Sequence, residues 1–591
     1  MTAAVQTIWA QLVARTLADA GVTLAVISPG SRSTPLVAAL AAEPRIARVT
    51  IIDERAAAFY ALGAARATGQ PAALVCTSGT AAAHYLPAIV EASLAGVPLI
   101  AITADRPPEL HDCGASQTID QQRLYGTFVR EFVDLGAPCP GELAARAVRR
   151  KLVQAITAAR GPAPGPVHVN VPLRKPLEPA QPETADDRAL AALAWPPLAI
   201  APPRLAPDAA AIRALAATLA AQPLGVIVAG AMPAGFAAAR EAVFALARGT
   251  GYPIAAEAGS QLRFGPRPDG VVLLDHLDLI PLPQRPAPAI VLQLGAEPVA
   301  ASWPAWLAAA RPARFVLAGE RWHDADSTAA QVILGDVELA IAALVPELAL
   351  HELVRRERTA ARVAWLATWR DLELGARQAA RRALDAHPDA ETATLAAVLD
   401  ALPAGARLQI GNSLPIRSID HVAPIERAHA VVTQRGAAGI DGLIASAAGA
   451  TRAGEPVVLV LGDVSFAHDL GGLYAARAAT APLAIVVVDN GGGQIFSGLP
   501  VARASLGAAF DAHWLTAPEL APAAVATALG ARGVTATSPA AVAAALDAAL
   551  ATTGVTVIHA PVSVSGAHDV RRTAIEFAAP PTDRAVLGGA P

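Results

Sequence analysis

An ordered echo between the two ends of the chain constrains its fold more than any other feature. Ile27-Ser28-Pro29-Gly30-Ser31 is answered by Ile410-Gly411-Asn412-Ser413, GQPAALVCTSGT from Gly69 by GEPVVLVLGDVS from Gly454, and VPLIAITADR from Val97 by APLAIVVVDN from Ala481. Aligned on Ser31 with Ser413, Gly69 with Gly454 and Val97 with Ala481, the offsets are 382, 385 and 384 residues. Each segment is an apolar run of strand length followed by a loop of Gly, Ser, Thr or Asp. Three such matches in one order predict two copies of a doubly wound parallel domain. Ligands of such sheets sit beyond the carboxyl ends of the strands, so three loops from each copy become the candidate site.

The 591 residues leave room for further cores between the copies. From Gly161 to Asp208 the chain is crowded with proline, which predicts neither helix nor central strand and reads as a linker. LGVIVAG (Leu224 to Gly230) and AIVLQLG (Ala289 to Gly295) mark strands of a middle α/β segment, and His351 to Asp385 has the composition of a charged helix. The expected division is 1–180 for the first domain, 181–208 linker, 209–345 middle domain, 346–390 helical connector and 391–591 last domain, with alternating elements to about Ala560 and a tail beyond. The start, Met1 to Gly21, lacks a basic leader region and reads as an amphipathic helix with Ile8, Leu12 and Leu17 on one side.

Composition excludes several classes of function. Lys+Arg 46 against Asp+Glu 50 gives a net charge of −4, which offers no general electrostatic grip on nucleic acid or an anionic membrane. The most apolar runs, Val457 to Leu461 and Leu483 to Val488, are far too short to span a bilayer and suit buried parallel strands. Cys76, Cys113 and Cys139 are widely spaced with no CxxC pair, as expected of a chain in a reducing cytoplasm.

The sharpest chemical signal lies in the last domain. LVLGDVSF puts Asp463 directly after one apolar strand, and VVVDNGGGQIF puts Asn490 after the next, 27 residues later. A hard divalent cation holding a diphosphate needs oxygen ligands that converge from neighbouring strand ends. Asp463, Asn490 and the carbonyl of Gly492 supply a carboxylate, an amide and a backbone oxygen, while Gly462, Gly491, Gly492 and Gly493 let the backbone approach phosphate. Taken singly, Asp463 could be a helix cap and Asn490 a turn residue.

GDxxF followed by an Asn-Gly-Gly loop resembles the thiamine diphosphate motif. The order of duplicated domains resembles thiamine diphosphate enzymes of the decarboxylase type, an α/β architecture of three doubly wound parallel-sheet domains. That resemblance covers the whole chain. It implies a pyrimidine-binding first domain, a diphosphate-binding last domain, thiamine diphosphate held with Mg²⁺ (Mn²⁺ as a substitute), and a homodimer or homotetramer. It makes Glu54, in IIDERAAAFYALGAARATGQP, the catalytic acid that bonds a pyrimidine nitrogen, and Ile440, in RGAAGIDG, the apolar wedge that would hold the cofactor bent. It further places Thr77, Ser78, Gly79, Ser413, Gly462, Asp463, Val464, Ser465, Asn490, Gly492, Gln494 and Ile495 around the cofactor.

Three segments narrow the resemblance: SPGSRSTPL (Ser28 to Leu36), TADRPPEL with GASQTIDQ (Thr103 to Gln121), and GNSLPIRSID (Gly411 to Asp420). Together they resemble the 2-succinyl-5-enolpyruvyl-6-hydroxy-3-cyclohexene-1-carboxylate synthases of menaquinone biosynthesis. The resemblance implies decarboxylation of 2-oxoglutarate and addition of the remaining succinyl fragment to isochorismate. Both substrates are dicarboxylates, which a planar guanidinium grips through paired hydrogen bonds. By motif, Ser31, Arg32, Arg106, Gln117, Ser413, Arg417 and Arg435 are expected to bind substrate, with Ile495 and Phe496 as apolar wall. In LGAEPVAASWPAWL, Ala301 and Ser302 stand where the family often carries a basic residue, and Gly491 stands where it often carries asparagine.

The rival readings are another thiamine diphosphate lyase, such as an acetolactate synthase-like enzyme, and a non-catalytic relative that binds a metabolite. The arginine set argues against the first, and the presence of Glu54 and Asp463 against the second. No His-His pair of the kind simple decarboxylases use occurs in the chain. Nor does any GxGxxG open a helix after a first strand, which leaves a nucleotide-dependent dehydrogenase without support.

Overall fold

The structure, a computed structural model, describes residues 3–196, 198–352 and 359–579. Among the described residues seventeen strands form three sheets in which every paired neighbour is parallel. The first contains β1 (Leu24–Ile27), β2 (Ala47–Thr50), β3 (Ala72–Cys76), β4 (Leu99–Asp105), β5 (Phe132–Asp134) and β6 (Pro166–Pro172), in the order β2-β1-β3-β4-β6-β5. The second contains β7 (Gly225–Ala229), β8 (Ile254–Ala256), β9 (Ile290–Leu294), β10 (Ala313–Ala318) and β11 (Ala329–Leu334), in the order β11-β10-β9-β7-β8. The third contains β12 (Arg407–Ile410), β13 (Val431–Thr433), β14 (Val457–Gly462), β15 (Leu483–Asp489), β16 (Arg532–Thr535) and β17 (Val555–Pro561), in the order β13-β12-β14-β15-β17-β16. The first and third orders are the same permutation, so the echo in the sequence is a duplicated fold.

The chain forms two compact units. One comprises Met1–Pro203, Gln434–Gly454 and Asp469–Ala481, and the other comprises Arg204–Thr433, Glu455–His468 and Pro482–Pro591. The first unit holds the first sheet. Helix Ala3–Asp19 lays Leu12 and Leu17 into its core, with Ile8 at the margin, as the spacing predicts. The second unit holds the other two sheets, including the fully buried strands β9 and β12. In that unit helix Thr359–Ala386 buries Trp365, Trp369, Ala376, Ala380 and Ala383 at helical spacing. The part of the expected helical connector at 353–358 lies outside the described residues.

Two readings of the sequence are corrected. The proline-rich stretch does carry a central strand, because β6 lies between β4 and β5. Its prolines, Pro166 and Pro172, stand at the strand's ends, and VHVN between them keeps its ladder donors. Farther on, Thr184 and Asp187 form a capping box that starts the short helix Ala185–Ala191. Nor is the end of the chain a tail throughout. Helix Gly566–Ala578 buries Val570 and Ala574 in the cluster that contains Trp369. Its apolar face is built on alanine beside Arg571 and Arg572, so hydropathy alone hides it.

Candidate active site

In the first unit the strand-end loops are tied to one another. A Cβ on Gly30 would lie 2.3 Å from Thr77 Cβ, so only glycine lets the loop after β1 press on the loop after β3. The Arg32 amide donates to Thr77 Oγ1 at 3.3 Å. Ser78 Oγ donates to the Gln117 carbonyl, and Gln117 Nε2 donates back to the Ser78 carbonyl, both at 3.0 Å. Gly79, at φ +88°, donates its amide to Gln121 Oε1 at 2.9 Å. Ser31, Arg32, Thr77, Ser78, Gly79, Arg106 and Gln117 therefore belong to one hydrogen-bonded group of loops at the carboxyl ends of β1, β3 and β4.

Two arginines dominate its charge. Arg32 is 4 % exposed, donates through Nη1 to the Leu173 carbonyl at 2.6 Å, and has a buried Nε with no hydrogen-bond partner. Burial first, and then the neighbouring Arg106, hold the Arg32 pKa below its ordinary value, against the opposing pull of Asp105. Arg106 donates to the Ser116 carbonyl through Nε at 3.2 Å and Nη2 at 3.0 Å. Two like charges that raise one another's electrostatic cost favour an anion as partner.

Around Asp105 and Gln121 of these segments runs a buried polar net that also takes in Asn170, which no motif points to. Asp105 accepts the Arg106 amide at 2.7 Å and Asn170 Nδ2 at 2.9 Å, and Gln121 Nε2 reaches Asn170 Oδ1 at 3.2 Å. The available signal was the pair of polar residues His168 and Asn170 inside an otherwise apolar strand.

Glu54 is the first residue of helix Glu54–Thr68 and is half-buried. The capping role is filled by Asp53, whose side chain accepts the amides of Arg55 and Ala56. Arg435 and Ile440 sit on another loop of the same unit, where Gln434 Nε2 donates to the Asp441 carbonyl at 3.0 Å. Both side chains are half-buried.

The second unit carries the residues expected to hold the cation and the diphosphate. Asp463 opens helix Asp463–His468 directly after β14 and is 4 % exposed. Its Oδ1 accepts the Val464 amide at 2.8 Å and its Oδ2 the Gly492 amide at 2.7 Å, which joins the loops after β14 and β15. Burial pushes its carboxyl up to about 6. Asn490 donates Nδ2 to Glu391 Oε2 at 3.1 Å, leaving its Oδ1 buried with no hydrogen-bond partner. Gly492, at φ +116°, brings its backbone so close to Leu515 that a Cβ would lie 2.4 Å from that carbonyl.

An unpartnered amide oxygen beside a desolvated carboxylate is an arrangement that a divalent cation relieves, so these residues fit the expected metal. Gly462 ends β14, and Val464 and Ser465 lie on the first turn of the helix that Asp463 opens. Gln494, Ile495 and Phe496 start the short helix Gln494–Gly498. Ser413 adopts φ +72° and its carbonyl accepts Arg417 Nη1 at 2.6 Å. Ser302, the second of the two positions where the resemblance leads one to expect basic residues, donates to Asp278 Oδ1 at 2.5 Å and accepts from Arg285 Nη2 at 3.0 Å in a buried network. Glu391 is the functional neighbour that sequence reasoning missed, since nothing local links it to a residue 99 positions away.

The comparisons agree with this geometry. The family model "Thiamine pyrophosphate enzyme, N-terminal TPP binding domain" matches residues 9–124, and "Thiamine pyrophosphate enzyme, C-terminal TPP binding domain" matches residues 417–560. Fold and strand-end loops thus define a thiamine pyrophosphate-binding α/β enzyme. The chain is 46% identical over 540 residues to a 2-succinyl-5-enolpyruvyl-6-hydroxy-3-cyclohexene-1-carboxylate synthase of Sorangium cellulosum, covering 87% of this chain and 86% of the relative. It is 43% identical to the synthase of that name from Geobacillus kaustophilus (82% and 83% covered) and 40% identical to one from Halobacterium salinarum (84% and 85% covered). The chain belongs to the 2-succinyl-5-enolpyruvyl-6-hydroxy-3-cyclohexene-1-carboxylate synthase family.

Proposed function

We propose that the chain catalyses the synthase reaction of its relatives. With thiamine diphosphate and Mg²⁺ it decarboxylates 2-oxoglutarate and adds the resulting succinyl carbanion equivalent, in a 1,4 sense, to isochorismate. Thiamine diphosphate, when bound, supplies the carbon nucleophile and the electron sink for loss of carbon dioxide. Asp463, Asn490 Oδ1 and the Gly492 carbonyl would hold the cation, with Mn²⁺ as a substitute. Glu54 would hold a proton at a pyrimidine nitrogen, and Ile440 would be the apolar wedge that keeps the cofactor bent. Arg32, Arg106, Arg417 and Arg435, with Ser31, Gln117 and Ser413, would grip the carboxylates and hydroxyls of the two substrates, against Ile495 and Phe496.

The observation that carries the dicarboxylate reading is the Arg32 and Arg106 pair at the strand ends, with Arg32 almost closed off from solvent. Pyruvate, with a single carboxylate, would leave part of that charge uncompensated. The test compares kcat/KM for 2-oxoglutarate with that for pyruvate. The parent should prefer the dicarboxylate by at least 100-fold, and Arg106→Ala should narrow the preference; equal use of pyruvate would move the chain to the acetolactate synthase-like reading.

The domain division given by the sequence, a homodimer or homotetramer, and a cytoplasmic compartment belong to the same proposal. They rest on the family resemblance and on cysteine usage. Among the described residues no helix is long and apolar enough to cross a membrane.

A further inference from the structure

In the first unit a buried carboxylate on one helix holds the loop that carries Arg435 and Ile440. Glu91, on helix Leu86–Ala95, is 3 % exposed. Its Oε2 accepts the Ala437 amide at 2.7 Å, and its Oε1 accepts the Gly436 amide at 3.2 Å and Arg66 Nη2 at 2.8 Å. The loop lies directly on the helix: a Cβ on Gly436 would stand 2.8 Å from the Glu91 carbonyl oxygen and 2.9 Å from the Ala95 nitrogen. The far end of the loop is held in the same manner, since Asp469 Oδ2 accepts the amides of Ile444 at 2.8 Å and Ala445 at 3.3 Å.

Burying a carboxylate is costly unless it is paired and fully bonded, and Glu91 spends its acceptors on one arginine and two backbone amides of the loop. A loop with little regular structure keeps a side chain within a fraction of an ångström only when packing and outer hydrogen bonds fix its backbone. Both bonded amides follow immediately on Arg435. We propose that Glu91, held by Arg66, is a positioning residue for the synthase reaction. It fixes the backbone at Gly436 and Ala437 and so sets where Arg435 delivers its guanidinium and Ile440 its side chain. This inference rests on the reading of Arg435 as a substrate-binding residue.

The experiment is a double-mutant cycle on the full-length enzyme loaded with thiamine diphosphate and Mg²⁺, with KM and kcat measured for 2-oxoglutarate and isochorismate. Glu91→Gln keeps the length of the side chain but turns one acceptor into a donor facing an amide. It should raise the KM of the substrate that Arg435 serves at least fivefold and change kcat less than threefold. In an Arg435→Ala background the same substitution should add less than twofold. A factor that persists undiminished in that background, or an unchanged KM in Glu91→Gln alone, overturns the proposal.

If Arg435→Ala itself leaves both KM values unchanged, the substrate assignment has failed and the inference falls with it. That failure is distinct from one in which Arg435→Ala acts and Glu91→Gln does not. Should Glu91→Gln not fold, Gly436→Ala shifts the loop off the helix while leaving Glu91 its ion pair with Arg66. It should raise the same KM, and an unchanged KM there also overturns the proposal.

Discussion

Asn490 gives its amide nitrogen to Glu391 across 3.1 Å, and this bond leaves the amide oxygen buried and unpartnered, two residues before the glycine whose amide Asp463 accepts. Glu391 is 1 % exposed and burial pushes its carboxyl up to about 7. The orientation of the proposed cation ligand is thus set by a residue that need not touch the cation, a pattern in which outer partners typically matter 10–100-fold in affinity.

Mn²⁺ titration followed by electron paramagnetic resonance, in the presence of thiamine diphosphate, reads this directly. Asp463→Ala should abolish measurable binding, and Glu391→Ala should weaken it by about 10–100-fold. Parent affinity in either variant would place the cation elsewhere.

Arg32 and Arg106 should differ in cost. Arg32 is almost wholly buried, so Arg32→Ala should lower kcat/KM for a dicarboxylate by roughly 2–5 kcal/mol, the range for breaking a buried charge-assisted pair. Arg106 is half-buried, and its replacement by alanine should cost less. Steady-state kinetics with both acids checks the ranking, and a larger loss at Arg106 would reverse the assignment of the anchoring residue.

Glu54 is free of capping duty because Asp53 serves the helix amides. Glu54→Gln should therefore leave the thermal midpoint within a few degrees of the parent. It should also slow hydrogen–deuterium exchange at the reactive carbon of bound cofactor by about 10²–10⁴-fold, the usual worth of a positioned acid or base. Unchanged exchange would remove Glu54 from the chemistry.

Away from the site, Glu373 accepts the His276 amide at 3.1 Å and meets His276 Nδ1 at 2.7 Å, and burial raises its carboxyl to about 7. A carboxyl whose pKa is raised on folding binds its proton more tightly in the native state. Its contribution is complete below the unfolded value near 4.5 and is lost as pH rises through about 7. The loss is about 3 kcal/mol at 1.4 kcal/mol per pKa unit. Calorimetry of the parent and of Glu373→Gln from pH 4.5 to 8 should show the variant gaining on the parent as pH rises. A difference that is flat across this window would refute the burial argument.

What was legible in the sequence was local. An apolar run ending in Gly, Ser or Asp announces a parallel strand and its loop, so β1, β3, β4, β12, β14 and β15 and most candidate side chains could be read. Repetition of those runs at a nearly fixed offset announced the duplicated sheet. Hidden from such reading were contacts between distant positions. Glu91 meets Gly436 across 345 residues, Glu391 meets Asn490 across 99, and Asp105 meets Asn170 across 65. β6 was masked by prolines that stand at its ends, and helix Gly566–Ala578 by an apolar face made largely of alanine.

The most direct measurement is consumption of isochorismate by the purified protein with thiamine diphosphate and Mg²⁺, with and without 2-oxoglutarate, and with pyruvate as the control acid. Loss of isochorismate that requires 2-oxoglutarate, cofactor and metal together is the predicted result. Turnover of pyruvate alone, or no consumption with either acid, would contradict the account.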